Sequence, residues 1–364
     1  MLFDSALRKE LGRSFGATLV VLITIVMTVL LIRTLGQASA GRVNPSEVML
    51  VMGFTVLGHL PTILTLSLFV AITATLTRMY ASSEMVVWFS CGQGLSAFVR
   101  PLLRFAWPVL LAVVVLALLV WPWSHQQIRE LRDRYQARGD IERVAPGRFI
   151  ESASGQRVFF IDKDTADAYS GSNIFIATSD GGVESVVSAQ SGRVVTRDAE
   201  RFLELEHGSR LEVNRTQGTL RMTEFAQYSN RIDASIPTRV RSDSPSLAST
   251  FELLLEPTPR NQAELSWRLG LALAGFNCVL IALAATRVNP RVGRSAGLVF
   301  ALFAFTTYYN LIGAGQNWIA RQRLGLGAYL LLLHGGICLA ALVWLYWRQR
   351  NWRVRRGNRP AVTP

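Results

Sequence analysis

Lysine is nearly absent from this 364-residue chain: Lys9 and Lys163 are the only two, and arginine supplies the rest of the 38 basic residues. Neither lysine follows a Gly-rich loop or precedes Ser or Thr, since Glu10 follows the first and Asp164 the second. The phosphate cradle of an ATP-hydrolysing protein is therefore missing. Three cysteines, Cys91, Cys278 and Cys338, form no pair at ligand spacing and leave no metal centre or disulfide framework to expect. Asp and Glu are missing altogether from the six long apolar runs, where an ion-coupled carrier would place its proton or sodium ligands. The insert's histidines, His125 and His207, have no second ligand at useful spacing, and no Gly-x-Ser-x-Gly elbow is present. The carboxylates Asp162, Asp164 and Asp167 read as a polar surface loop. No enzyme, cofactor or metal site is expected, and energy for any transport has to come from a partner.

What the chain does contain is hydrophobic sequence, 50% of its residues. The apolar runs Gly16–Ile32, Val51–Leu76, Pro101–Trp123, Trp267–Thr286, Ala296–Ile319 and Leu326–Trp347 are each near the length of ~20 residues that carries a helix across a bilayer. Six spans place both termini on one side. The segment Met1 to Arg13 is an amphipathic stub with no cleavage pattern behind it, so the first span is expected to be retained.

Basic residues in short loops set the orientation. Arg8, Lys9, Arg13, Arg78, Arg100, Arg104, Arg287, Arg291, Arg294 and six arginines from Arg348 to Arg359 fall on the side of the termini. Only Arg33, Arg42, Arg321 and Arg323 fall in short loops opposite. The termini are expected in the cytoplasm and the central insert outside. A net charge of +13 is then a topology signal and a match to anionic lipid, not a sign of nucleic-acid binding.

The insert, Ser124 to Glu256, changes character along its length. Gln126–Arg138 is charged and helix-prone, a stalk leaving span three. Short β-rich runs follow at Arg148–Glu151, Arg157–Asp162, Asn173–Thr178, Ser185–Gln190, Arg193–Thr196, Phe202–Glu206, Arg210–Asn214 and Leu220–Phe225, separated by Gly, Asn and Asp. That spacing predicts an all-β sandwich or jelly-roll-like domain. Ser242–Pro259, with three prolines, reads as a linker back to span four. The domains expected are 1–123 with three spans, 124–259 as the outside β-domain with stalk and linker, and 260–364 with three spans and a basic tail.

Two places invite contact with other molecules. In the loop 77–100, a short helix is expected near 81–94: Ser82 or Ser83 caps it, Glu84 lies in its first turn, and Gly92 or Gly94 ends it. Met85, Trp88 and Phe89 share a face, suited either to a groove on a partner or to the bilayer surface. On the other side, Tyr308, Tyr309, Asn310, Gln316 and Asn317 make the outer half of span five unusually polar, so that Arg33, Arg42, Arg321 and Arg323 either ring the mouth of a cavity for an anionic head group or snorkel to the interface. His59, Pro61 and Asn277 are expected to pack or kink their helices.

This order of parts resembles the LptF/LptG permease family of the lipopolysaccharide export machine. The resemblance rests on Leu31–Gly36, Ser83-Glu-Met-Val-Val-Trp-Phe-Ser-Cys-Gly92, Ala263-Glu-Leu-Ser-Trp-Arg268 and Val288-Asn-Pro-Arg-Val-Gly-Arg294; Glu224–Tyr228 looks more like the LptF branch. It implies a permease without enzyme activity in the bacterial inner membrane, paired with an LptG-like permease over an LptB-like ATPase dimer, passing lipopolysaccharide to an LptC-like jelly-roll protein. Glu84, Met85, Trp88 and Phe89 would then form a coupling helix, with Glu84 on the ATPase. Arg33 would meet phosphate, with Arg42, Tyr308, Arg321 and Arg323 as further lipid contacts. Some family members carry a lysine where this chain has Leu30, which redistributes the phosphate contacts. Readings that stay open are the LptG paralogue and a tethered envelope scaffold that moves nothing.

Overall fold

The structure, a computed structural model, describes residues 2–39, 43–92, 94–137, 150–151, 157–160, 170–180, 183–197, 200–214, 218–232, 244–286 and 295–357. Two compact units emerge: a helical one of residues 1–34, 49–128 and 243–364, and a β-rich one of residues 35–48 and 129–242.

Among the described residues, six helices are long and apolar enough to cross a membrane. They are α1 (Leu2–Ser39), α2 (Val48–Ala81), the run α4 (Val99–Val115) to α5 (Trp121–Ala137) through a π turn at Leu116–Val120, α7 (Pro259–Ala285), α8 (Ser295–Ala320), and α9 (Leu326–Tyr329) to α10 (Gly336–Gly357) through a second π turn at Leu330–Gly335. Short helices α3 (Glu84–Ser90) and α6 (Thr250–Leu255) lie between spans. Helix is the form such runs must take, because hydrocarbon leaves no outside partner for a backbone N–H or C=O. Hydroxyls are satisfied the same way: Thr18, Thr24, Thr28 and Thr34 on α1 each donate to the carbonyl four residues back, at 2.7–2.9 Å.

The core of the helical unit forms around α7. Leu271, Ala274, Cys278 and Ala282 of that helix pack with Leu68, Phe69 and Ile72 of α2, Leu102 and Ala106 of α4, and Phe305 and Ile312 of α8. Small residues permit the approach. A Cβ on Gly275 would lie 2.8 Å from Leu110 Cδ2, and one on Gly315 of α8 would overlap the Tyr329 ring.

The β unit is one antiparallel sheet in meander order: β1 (Ile150–Glu151), β2 (Arg157–Phe160), β3 (Ser170–Asp180), β4 (Val183–Arg197), β5 (Glu200–Asn214) and β6 (Thr219–Ile232). Among the described residues the eight expected runs thus become six strands. Ser185–Gln190 and Arg193–Thr196 fuse into β4, and Phe202–Glu206 and Arg210–Asn214 fuse into β5. The glycines read as turns, Gly192 and Gly208, sit inside long strands beside a crease. Pairing skips one position per strand along Asn173, Gln190, His207 and Ala226, and Asn173 and His207 take the left-handed region at φ 49° and 51°.

The crease also reverses the side-chain alternation. Phe225 and Tyr228, three apart, would face opposite sides of a regular strand, yet their rings lie 5.2 Å apart. Both pack on a core of Ile174, Ile176, Val187, Ala189, Leu203 and Leu205. Along Phe202–Glu206 the faces alternate, with Leu203 and Leu205 buried and Glu204 paired to Arg193 across the strands at 3.2 Å. A jelly roll needs connections crossing between two sheets. Among the described residues every strand pairs with its neighbour in sequence, so the structure shows a creased meander.

Candidate functional site

At the α3 end of the helical unit, Ser83 enters α3 at φ 61° without a side-chain cap, while Ser82 Oγ donates to the Glu84 carboxylate at 2.9 Å. Gly92, at φ 85°, ends the helix as its position predicts, and its N–H bonds to the Phe89 carbonyl. The faces of α3 differ from the sequence expectation. Met85 is fully buried, and Trp88 and Phe89 pack against the bundle core. The apolar face is used by the chain's own spans, leaving Glu84, Val86, Val87 and Ser90 outward, with Val86 and Val87 each more than 60% exposed.

Arg348 of α10 supports this end. Its guanidinium donates to the carbonyls of Leu283 (3.3 Å), Ala284 (2.6 Å) and Thr286 (2.9 Å), which close α7, and to Tyr80 Oη (3.1 Å). An arginine thereby caps orphan helix-end carbonyls. Tyr80 in turn contacts Phe89 at 6.3 Å between ring centroids, so α3, α7 and α10 share one node. The basic turn Arg287–Arg294 lies outside the described residues.

Halfway along α7, Asn277 Nδ2 donates to Tyr308 Oη (2.7 Å) and to the His334 carbonyl (2.9 Å), and Tyr308 Oη lies 2.7 Å from His334 Nδ1. His334 belongs to the π turn, where the altered ladder leaves a carbonyl for Asn277 to satisfy. Tyr308, expected as a lipid contact, is buried here as a strut between α7, α8 and the last span. Asn277 packs, as expected.

The polar residues of α8 divide between two directions. Tyr308 and Gln316 turn inward, Gln316 Nε2 reaching Glu264 Oε2 at 3.3 Å. Thr306, Tyr309, Asn310 and Asn317 are exposed, and among the described residues the two asparagines donate to their own helix, at the Thr306 and Gly313 carbonyls. Thr306, Asn310, Gly313 and Asn317 recur at helical spacing within about 60° of arc. The stripe runs toward the helix end, just past which Arg321 and Arg323 stand exposed around Gln322 at φ 57°. Arg33 is exposed on α1, and among the described residues no side-chain bond joins it to Arg321 or Arg323. Arg42 lies outside the described residues.

A further buried cluster escaped the sequence reading. Arg268, fully buried, donates from Nε to Glu264 Oε1 (3.0 Å), from Nη1 to Thr250 Oγ1 (2.9 Å) and from Nη2 to the carbonyls of Pro245, Ser246 and Ala248 (3.0–3.5 Å). Glu264 also accepts from Trp121 Nε1 at 3.0 Å. The signal in the sequence is an acid four residues before an arginine in Ala263–Arg268, but Glu264 precedes the apolar run Trp267–Thr286 and so does not stand out as a residue of the span. Among the described residues no group of acidic, Cys and His side chains could hold a metal.

Residues 6–348 match the family model described as lipopolysaccharide export system permease LptF/LptG. The chain is also 28% identical, over 315 residues and 85% of each sequence, to the lipopolysaccharide export system permease protein LptF of Escherichia coli strain K12, and equally to that of Shigella flexneri. With membrane-length helices, a separate antiparallel sheet and a match over nearly the whole sequence, the chain belongs to the LptF/LptG family of lipopolysaccharide export permeases.

Proposed function

We propose that this chain is the LptF-type half of an ATP-driven exporter in the bacterial inner membrane, with both termini cytoplasmic and the β unit periplasmic. It takes lipopolysaccharide from the outer leaflet into a cavity shared with an LptG-like permease and passes it through the β unit to an LptC-like protein. The observation that carries this reading is the uncovered polar stripe of Thr306, Asn310 and Asn317 on α8. Polar side chains at span depth need protein or a hydrated cavity beside them, and the described residues leave these side chains exposed. Exposed Arg33, Arg321 and Arg323 suit the phosphates of the head group. The curated relatives' LptF names support that branch over its paralogue. In the β unit, the apolar core of the creased meander is the surface that would shield acyl chains in water.

On the cytoplasmic side α3 is the coupling helix to an LptB-like ATPase dimer. Its contact face is Glu84, Val86 and Val87, while Met85, Trp88 and Phe89 fasten it to the spans. In proteoliposomes holding the complete complex, Glu84→Ala should reduce ATP-driven lipopolysaccharide release about tenfold and weaken retention of the ATPase, as loss of one charged contact would. Wild-type release by that variant would remove Glu84 from the coupling.

A further inference from the structure

Helix α6, Thr250–Leu255, falls in a segment whose prolines suggested only a linker, yet it is a built helix. Ser249 and Glu252 form a reciprocal capping box, the Glu252 N–H to Ser249 Oγ at 3.2 Å and the Ser249 N–H to Glu252 Oε2 at 2.8 Å. Five of its six residues, with the following Glu256, divide three ways. At about 100° per residue, Phe251, Leu254 and Leu255 cover one arc of about 100°, Glu252 and the following Glu256 point the other way, and Leu253 lies between them on a third side. Burial follows the same division. Leu253 is 1% exposed, while Phe251, Leu254 and Leu255 are 70%, 60% and 66% exposed.

The helix is also held at a definite depth. Thr250 Oγ1 donates to the Leu118 carbonyl inside the π turn of span three and accepts from Arg268 Nη1. Leu118 lies within the apolar run that ends at Trp123, between Val115 and Leu119, which are 42% and 64% exposed on the outside of that span. Helix α6 is therefore tied to span three within the stretch that also carries the exposed Val115 and Leu119. A fully buried arginine is costly in such surroundings unless every donor is paired, and Arg268 spends its donors on Thr250, Glu264 and the 245–248 carbonyls that lead into α6.

We infer that α6 is an interfacial foot: Phe251, Leu254 and Leu255 insert among the acyl chains of the leaflet on the insert side, with Glu252 and Glu256 toward water. Its ligand is bilayer lipid. A short amphipathic helix of this polarity lies in the plane of a membrane surface, and here the buried Arg268–Glu264 pair pins it where the chain from the β unit re-enters the bilayer.

The test uses the full chain, with Cys91, Cys278 and Cys338 replaced, in phosphatidylcholine nanodiscs free of lipopolysaccharide. Nitroxides at Phe251→Cys, Leu254→Cys and Leu255→Cys should relax several-fold more with oxygen than with a water-soluble nickel chelate, and one at Glu256→Cys should show the reverse. Nickel access at the first three sites would place the face in water, and exclusion of both relaxants would place it under protein; either overturns the inference. As an independent readout, bimane on Leu254→Cys should be quenched by chain-brominated lipid and not by iodide. Iodide quenching without lipid quenching contradicts it.

Discussion

Span four and span one are both long apolar helices, but two-thirds of the most apolar stretch of α7 is buried within the chain against 6% of that of α1. Their residues explain the difference. Along α7, Gly270, Ala274, Gly275 and Ala282 let neighbours approach, and Glu264, Arg268 and Asn277 find partners on other elements. Along α1, Val20, Val21, Ile25, Val29 and Ile32 stand exposed, and each threonine hydroxyl bonds only to its own helix. Hydropathy thus marks that a helix crosses the bilayer, while residue size and polar groups that need partners mark which helix is the hub.

The largest effect should come from breaking the hub's ion pair. Arg268→Ala leaves Glu264 buried without its cation and is expected to cost about 3–5 kcal/mol in reversible unfolding from mixed micelles. The double variant Glu264→Leu, Arg268→Met should cost clearly less, because it removes the stranded charge with its partner. Equal losses in single and double variants would show that packing, and not the pair, holds α7 in place. At the other extreme, Val21→Ala and Ile25→Ala on the exposed face of α1 should change stability by less than about 0.5 kcal/mol in the same assay. A loss of several kcal/mol there would mean α1 is packed against something in its working form and would erase the contrast.

Much of the membrane half was legible in the sequence, because a run of apolar residues without acids has only one way to sit in hydrocarbon. Faces were harder. Met85, Trp88 and Phe89 were correctly grouped by periodicity, yet a shared face does not say what it meets, and here it meets the chain's own bundle. Tyr308 read as polar and therefore as a lipid contact, while its hydroxyl serves Asn277 and His334 from distant stretches of sequence. In the sheet, Gly192 and Gly208 carried turn signals. What those positions require is small size: a Cβ on Gly192 would lie 2.6 Å from Ile174 Cδ1, and one on Gly208 would collide with the Ser188 carbonyl. Crease and turn leave the same local trace, and only strand pairing separates them. Helix α6 was hidden by the prolines around it, although its capping box, Ser249 to Glu252, was readable.

The exposed polar stripe of α8 is expected to face the lipopolysaccharide path. Photoreactive residues placed singly at Asn310, Asn317, Leu311 and Trp318 in the assembled exporter address it directly. Lipopolysaccharide should be captured at Asn310 and Asn317, and ATP turnover should deplete that capture; the flanking Leu311 and Trp318 should capture bulk phospholipid instead. Equal lipopolysaccharide capture at all four positions, or none at Asn310 and Asn317, would mean that the stripe does not line that path.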